Sequence, residues 1–149
     1  MAQAASTRRA KGKATRPTPD ANPKPSDQAE PLKRFLAIYL GSPESAGYKR
    51  WLAMNEAERK RSEISGMQTW MRWGEQHAAA IVETGGPLGK TKRVDPEGVS
   101  TTRNAICGYV VVEAESHEAA ARMFADHPHF TIFPGEAVEI MECLPIPKM

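Results

Sequence analysis

Three stretches of the chain are rich in apolar and β-branched residues, and each is predicted to form a β-strand. Residues 32–40 carry apolar side chains at both alternating positions, which is typical of a central strand. Residues 105–113 are strongly β-branched and aromatic. Residues 137–144 alternate between apolar and other side chains, as a half-covered strand does. A fourth strand is predicted over residues 88–94, followed by a polar loop that reaches Arg103.

A short helix is predicted between the first strand and residue 55. Ser42 is the predicted N-cap and Pro43 takes the first helical position, a typical helix start. The apolar residues of this helix are Tyr48, Trp51 and Leu52.

A long helix is predicted to follow. Asn55 and Glu58 have the spacing of a capping box, and the Gly-Gly-Pro turn at residues 85–87 is predicted to end the helix. The stripe predicted to face the core recurs every three or four residues: Ile64, Met67, Met71, Gly74, Ala78 and Ile81. Three ring-bearing residues flank this stripe: Trp70, Trp73 and His77.

A last helix is predicted to begin at the cap Ser116 and to end at Pro128, with Ala119, Ala120, Met123 and Phe124 on one face. The order of elements is then β-α-β-β-α-β, which is typical of ferredoxin-like α+β domains. Such a domain places both helices on one face of its sheet and leaves the other apolar face bare. The sequence therefore predicts a homodimer that covers this face.

The composition changes sharply near residue 31. Residues 1–31 contain five prolines and no Val, Ile, Leu, Phe, Trp, Tyr or Cys, with six basic and three acidic residues, a net charge of +3. Such a segment has no apolar surface to offset the cost of ordering it, so we predict a disordered basic tail. Residues 32–149 are the predicted folded domain; their 14 basic and 15 acidic residues leave a net charge of −1, which argues against nucleic-acid binding.

Several other classes are disfavoured by the sequence. There is no signal-peptide pattern and no apolar run near the ~18 residues needed to cross a bilayer, so a cytoplasmic protein without membrane contact is predicted. Cys107 and Cys143 fit a reducing compartment and are predicted to be buried. Neither has a partner at metal-ligand spacing, so no metal and no cofactor are predicted.

Two clusters are candidates for chemistry. In the segment 126–129, Asp126 and His129 supply acid-base groups near neutral pH, although a helix end capped by histidine would give the same pattern. Trp70, Trp73 and His77 are one turn apart and either line a pocket or pack as core. If they line a pocket, the ligand is predicted to be planar or apolar, with an acidic group bound by one of three cations: Lys90, Lys92 or Arg103.

The chain resembles the YCII-related family in four segments that follow one another in the same order. These are 85–92 (GGPLGKTK), similar to the DGPF-type motif, 108–113 (GYVVVE), 115–120 (ESHEAA) and 138–140 (VEI). The resemblance covers most of residues 32–149 and implies a dimeric α+β barrel of ferredoxin-like subunits, with a pocket between sheet and helices. It also implies one of two roles, since some relatives are enzymes with a His–Asp pair and others accompany sigma-factor systems.

The resemblance carries over to the site in part. Asp126 matches the aspartate of the family's Asp-Pro element, whereas the DGPF-type aspartate is Gly85 here and the first histidine is His77, later than in the enzymatic relatives. Two hypotheses follow. One is a small pocket enzyme in which Asp126 orients a histidine, His129 or His77, that acts as general base on an aromatic or carbonyl-containing substrate. The alternative is a non-catalytic ligand-binding or regulatory dimer.

Overall fold

A computed structural model describes residues 31–148 of the chain, so the predicted basic tail lies outside the described residues except for Pro31. The domain is a mixed α/β structure built on one antiparallel sheet. The four strands of that sheet are β1 (Lys33–Leu40), β2 (Ile81–Pro87), β5 (Ile106–Ala114) and β6 (Ala137–Glu142). Their order is β2-β5-β1-β6, so the two longest strands lie at the centre.

A separate two-stranded hairpin is inserted between β2 and β5. It consists of β3 (Thr91–Asp95) and β4 (Gly98–Thr102). Val94 and Val99 face each other across it and remain 76% and 71% exposed. The strand predicted over residues 88–94 is confirmed in part, since Thr91–Asp95 is a strand, but it pairs within this hairpin and not in the main sheet. The polar loop predicted to reach Arg103 is wrong, because Gly98–Thr102 is the second strand of the hairpin.

Four helices complete the domain: α1 (Ala46–Ala53), α2 (Glu56–Gln76), α3 (His117–Arg122) and α4 (Pro128–Thr131). The capping box predicted for α2 is confirmed, since the Asn55 side chain accepts from the Glu58 N–H at 2.9 Å and the Glu58 carboxylate accepts from the Asn55 N–H at 3.1 Å. The Arg59 guanidinium donates to the Met54 carbonyl at 2.7 Å, which caps the end of α1.

The predicted start of α1 is wrong by three residues. Ser45 is the N-cap and accepts from the Tyr48 N–H at 3.1 Å. Ser42 instead accepts from the N–H of Glu44 and donates its hydroxyl to the Glu44 carboxylate, which holds residues 42–44 in a turn before the helix. A serine that bonds two residues ahead competes with helix formation.

The predicted end of α2 is also wrong. The helix ends at Gln76, and the Gly-Gly-Pro segment belongs to strand β2. Gly85 has a φ of +63° and lies where the pairing of β2 with β5 shifts register. A Cβ at this position would strike the Tyr109 carbonyl, so the glycine permits a bulge in an edge strand.

The buried face of α2 differs from the predicted one. Of the predicted stripe, Ile64, Met67 and Met71 are 54%, 56% and 63% exposed. Gly66 and Trp73 are buried instead, because the large tryptophan ring, predicted as a flank, packs into the core.

Two further predictions are corrected. The helix predicted from Ser116 to Pro128 is divided, because α3 ends at Arg122 and Pro128 begins a new helix after a turn in which Asp126 has a φ of +57°. The cap itself is confirmed, with the Ser116 hydroxyl accepting from the Ala119 N–H at 3.0 Å. The cysteines were predicted to be buried, but both are exposed because they lie near strand ends.

The core lies between one face of the sheet and the helices. The sheet contributes Phe35, Ala37, Tyr39, Val110, Val112 and Ala114, and the helical side contributes Trp73, Ala120 and Phe124. The Leu40 carbonyl, at the end of β1, accepts from the Glu136 N–H at 2.8 Å and so ties β1 to the start of β6. No helix within residues 31–148 has both the length and the apolar character required to cross a membrane.

Two glycines of α2 provide a matched test of this packing. A Cβ at Gly66 would lie 2.5 Å from the Phe133 ring, whereas a Cβ at Gly74 would meet no atom within 4 Å. We expect Gly66→Ala to lower the free energy of unfolding by about 1–3 kcal/mol through overpacking. Gly74→Ala should raise it by about 0.5–1 kcal/mol, because alanine is the better helix former.

Urea unfolding of both variants beside the wild type measures this difference. Equal effects from the two substitutions would contradict the described packing of α2 against Phe133.

Candidate active site

An apolar cavity of about 450 Å³ lies between α2 and the sheet. Its walls come from α2, from β1, β2 and β5, and from the segment around α4. The lining residues are Tyr39, Met67, Trp70, Met71, Trp73, Gly74, Ile81, Thr84, Gly86, Pro87, Cys107, Gly108, Tyr109, Val110, His129 and Phe133. None of these residues is Lys, Arg, Asp or Glu, so the cavity is suited to an uncharged ligand.

A buried histidine stands behind the wall of this cavity. His127 has no exposed surface, and four aromatic rings surround its imidazole. Their centroids lie 4.6 Å (Trp70), 4.8 Å (Trp73), 5.2 Å (Tyr39) and 5.8 Å (Phe124) from that of the imidazole. The Trp73 indole N–H donates to the Met123 carbonyl at 2.8 Å, which fixes one of these rings.

Both ring nitrogens of His127 have partners. Nδ1 accepts from the backbone N–H of His129 at 3.0 Å, and Nε2 lies 3.4 Å from the Tyr39 hydroxyl. Because Nδ1 accepts, the neutral ring carries its proton on Nε2 and points it at the tyrosine oxygen. Burial is the largest cause that lowers the pKa of His127 from 6.5 to about 4, with the nearby His129 and His77 adding to it.

His129 is the histidine that lines the cavity. Its Nε2 donates to the Leu40 carbonyl at 2.7 Å, the same oxygen that accepts from Glu136. Nδ1 then carries the lone pair, and no partner for it occurs among residues 31–148. Burial lowers the pKa of His129, and the bond to Leu40 opposes this in part, so the ring is neutral at pH 7.

A glycine makes the position of His129 possible. The imidazole packs so close to Gly135 that a Cβ on residue 135 would overlap three of the ring atoms. The Gly135 N–H also donates to the His129 carbonyl at 2.9 Å. The contact with the Gly135 backbone and the bond to the Leu40 carbonyl together set the orientation of the ring.

Tyr39 connects the two histidines. Its ring centroid lies 5.2 Å from that of His127 and 5.1 Å from that of His129. Burial raises the pKa of the Tyr39 hydroxyl well above its usual range, so the group stays protonated. A neutral hydroxyl beside two neutral imidazoles forms a polar cluster without net charge.

Some of the residues singled out from the sequence meet at this cavity. Trp70, Trp73 and His129 all line it. His77 is the C-cap residue of α2 and packs its ring 4.9 Å from that of Trp73, outside the lining. Asp126 is exposed, and its backbone carbonyl accepts from the Thr131 hydroxyl at 3.4 Å.

The three predicted cations lie apart from the cavity. Lys90, Lys92 and Arg103 are exposed, and none belongs to the lining. Lys92 donates to the Thr101 hydroxyl at 2.9 Å across the hairpin. Within residues 31–148, no group of three His, Cys, Asp or Glu side chains could hold a metal ion.

Tyr39, Phe133 and Gly135 are among the residues of the site that were not singled out from the sequence. Tyr39 is on the buried parity of β1 together with Phe35 and Ala37, and this alternation was the available signal. The roles of Phe133 and Gly135 depend on contacts with distant residues, so no local pattern marks them.

Comparison with known proteins adds little to this geometry. No protein-family model matches the chain, and no curated protein is significantly similar to it. Among solved structures, the chain is similar to 5-chloro-2-hydroxyhydroquinone dehydrochlorinase (TftG) from Burkholderia phenoliruptrix, solved in complex with 2,5-dihydroxybenzoquinone. The identity is 18%, the match covers 72% of this chain and 89% of that chain, and the TM-score is 0.42. The resemblance to YCII-related proteins rests on the four sequence segments at 85–92, 108–113, 115–120 and 138–140.

The buried imidazole makes the stability of the domain depend on pH. A pKa lowered from 6.5 to about 4 means that the unfolded chain binds a proton between these values while the folded chain does not. The contribution of His127 is therefore fully present above pH 6.5 and is lost as the pH falls toward 4. We expect a loss of about 3 kcal/mol in the free energy of unfolding, measured by urea unfolding at a series of pH values.

The variant His127→Phe is the control for this prediction. This variant retains an aromatic ring in the same place but cannot titrate. The decrease in the free energy of unfolding between pH 6.5 and 4 should therefore become smaller. If the free energy of unfolding depends on pH in the variant as it does in the wild type, His127 is not the group responsible.

Proposed function

We propose that this domain binds a small, uncharged aromatic molecule with a hydroxyl or carbonyl group, and that His129 acts on it as a general base. The observation that carries the proposal is a neutral imidazole whose Nδ1 has no partner among the described residues, in the wall of an uncharged cavity. A neutral imidazole is the side chain best suited to accept a proton near pH 7.

The cavity supports a ligand of this kind. Its volume of about 450 Å³ is within the range typical of small-molecule sites. Trp70, Tyr39 and Phe133 supply ring surfaces, against which planar molecules pack favourably. With no charged side chain in the lining, an anionic ligand would lose its hydration without gaining a partner.

The orientation of His129 supports its role as the base. The bond from Nε2 to the Leu40 carbonyl selects the tautomer in which Nδ1 is the acceptor. In many catalytic histidines a carboxylate accepts from the second ring nitrogen, and in this domain the Leu40 carbonyl accepts from Nε2. The hypothesis that Asp126 orients the histidine stays a prediction from the sequence. Tyr39, whose hydroxyl burial keeps protonated, is a neutral polar residue with its ring 5.1 Å from that of His129.

We also infer that the domain is a ferredoxin-like subunit of a YCII-type homodimer. The strand order β2-β5-β1-β6 and the packing of helices on one sheet face support this. On the opposite face, Ile38 lies directly between Tyr109 on β5 and Glu139 on β6. The half-buried apolar residues of this face are the surface that a second copy would cover.

The role of His129 can be tested with phenol and its methyl ether anisole, which has the same ring but no hydroxyl donor. We expect the wild type to bind phenol about three- to tenfold more tightly, the value of one net hydrogen bond to Nδ1. The variant His129→Phe should lose this preference. Isothermal titration calorimetry measures both affinities.

His77→Phe is the matched control, because it replaces a histidine outside the cavity lining. It should retain the preference for phenol. A preference that persists in His129→Phe, or that disappears in His77→Phe, would assign the acceptor to another group.

The dimer is tested by Ile38→Lys. The new lysine would lie directly across from Glu139, an opposite-charge pair that a monomer tolerates, whereas a buried interface does not. We expect light scattering to give twice the monomer mass for the wild type at micromolar concentration and the monomer mass for the variant. Val94→Lys, on the exposed hairpin, is the control and should remain dimeric. A monomeric wild type would refute the inference.

A further inference from the structure

Helix α2 contains two glycines, Gly66 and Gly74, and their surroundings differ. Glycine in the interior of a helix is less favourable than alanine by about 1 kcal/mol, so its presence calls for a cause. At Gly66 the cause is steric, since a Cβ would collide with the Phe133 ring. At Gly74 a Cβ would meet no atom within 4 Å, so packing inside the domain does not explain the residue.

Gly74 lies on the helix face that lines the cavity. It follows Trp70 by one turn and Met67 by two, and all three residues belong to the lining. A side chain at position 74 would therefore extend toward the space beside the Trp70 ring rather than into the core.

A second lining glycine leaves the same kind of gap on the sheet side. Gly86 of β2 lines the cavity, and a Cβ there would also meet no atom within 4 Å. Its neighbour Gly85, by contrast, is explained by the backbone of Tyr109. Space is thus left open on the α2 wall and on the β2 wall of the same cavity.

We infer that Gly74 is a specificity-determining residue, which leaves room beside Trp70 for the second ring of a two-ring aromatic hydroxyl compound. This inference rests on the proposed function, because it names the class of ligand that the same cavity accepts. A single ring needs only the space near His129 and Tyr39. A second fused ring extends along α2, where a side chain at position 74 would occupy its place.

The test compares 2-naphthol with phenol as ligands of the full-length protein. We expect the variant Gly74→Leu to bind 2-naphthol at least about tenfold more weakly than the wild type, while its affinity for phenol changes by less than about threefold. The affinity of Gly74→Ala for 2-naphthol should lie between those of the wild type and Gly74→Leu. This variant is also a control for folding, because alanine favours the helix. Calorimetric titration gives all of the affinities.

Gly89→Leu is the matched control. Gly89 also has no atom within 4 Å of a Cβ, but it lies outside the cavity lining, so both affinities should stay as in the wild type. If Gly74→Leu weakens both ligands equally or neither of them, Gly74 does not select ligand size and the inference is overturned, while the proposed function stands. If the wild type binds neither phenol nor 2-naphthol, the proposed function and this inference both fail.

Discussion

The site depends on one constraint, which is that the imidazole of His127 is buried among four aromatic rings and must still satisfy two nitrogen atoms. Burial without hydrogen bonds would cost several kcal/mol, and burial in the charged form would cost more. The chain meets this constraint locally at Nδ1, through the N–H of His129 two residues later, and at long range at Nε2, through Tyr39 on β1. The same residue, His129, also donates from its side chain to the Leu40 carbonyl and lines the cavity.

The features that depend on neighbouring residues in the chain could be predicted from the sequence. The two central strands, the capping box at Asn55 and the cap at Ser116 depend on residues within a few positions of each other, and all of them occur as predicted. The grouping of Trp70 and Trp73 was visible because helix geometry alone sets the spacing of their side chains.

The remaining features depend on partners that the sequence does not place. Apolar spacing in α2 favoured a stripe through Met67 and Met71, but the contacts of Trp73 with Phe124 and Met123 decide which face of the helix is buried. The Gly-Gly-Pro segment at residues 85–87 has the pattern of a helix terminus. In the structure these residues pair with β5 and form the bulged end of strand β2. His129 was singled out for its chemistry, and only the fold shows that its Nε2 donates to the carbonyl of Leu40, a residue 89 positions away in the chain.

The Leu40 carbonyl serves two structures at once. One of its lone pairs accepts from Glu136 at the start of the edge strand β6, and the other accepts from His129. Edge strands are where sheets open most readily, so local opening of β6 would shift this shared oxygen. The tautomer of the imidazole is thereby coupled to fraying at the border of the sheet. Amide exchange at residue 136 would then report on how long the His129 imidazole keeps its bond to Leu40.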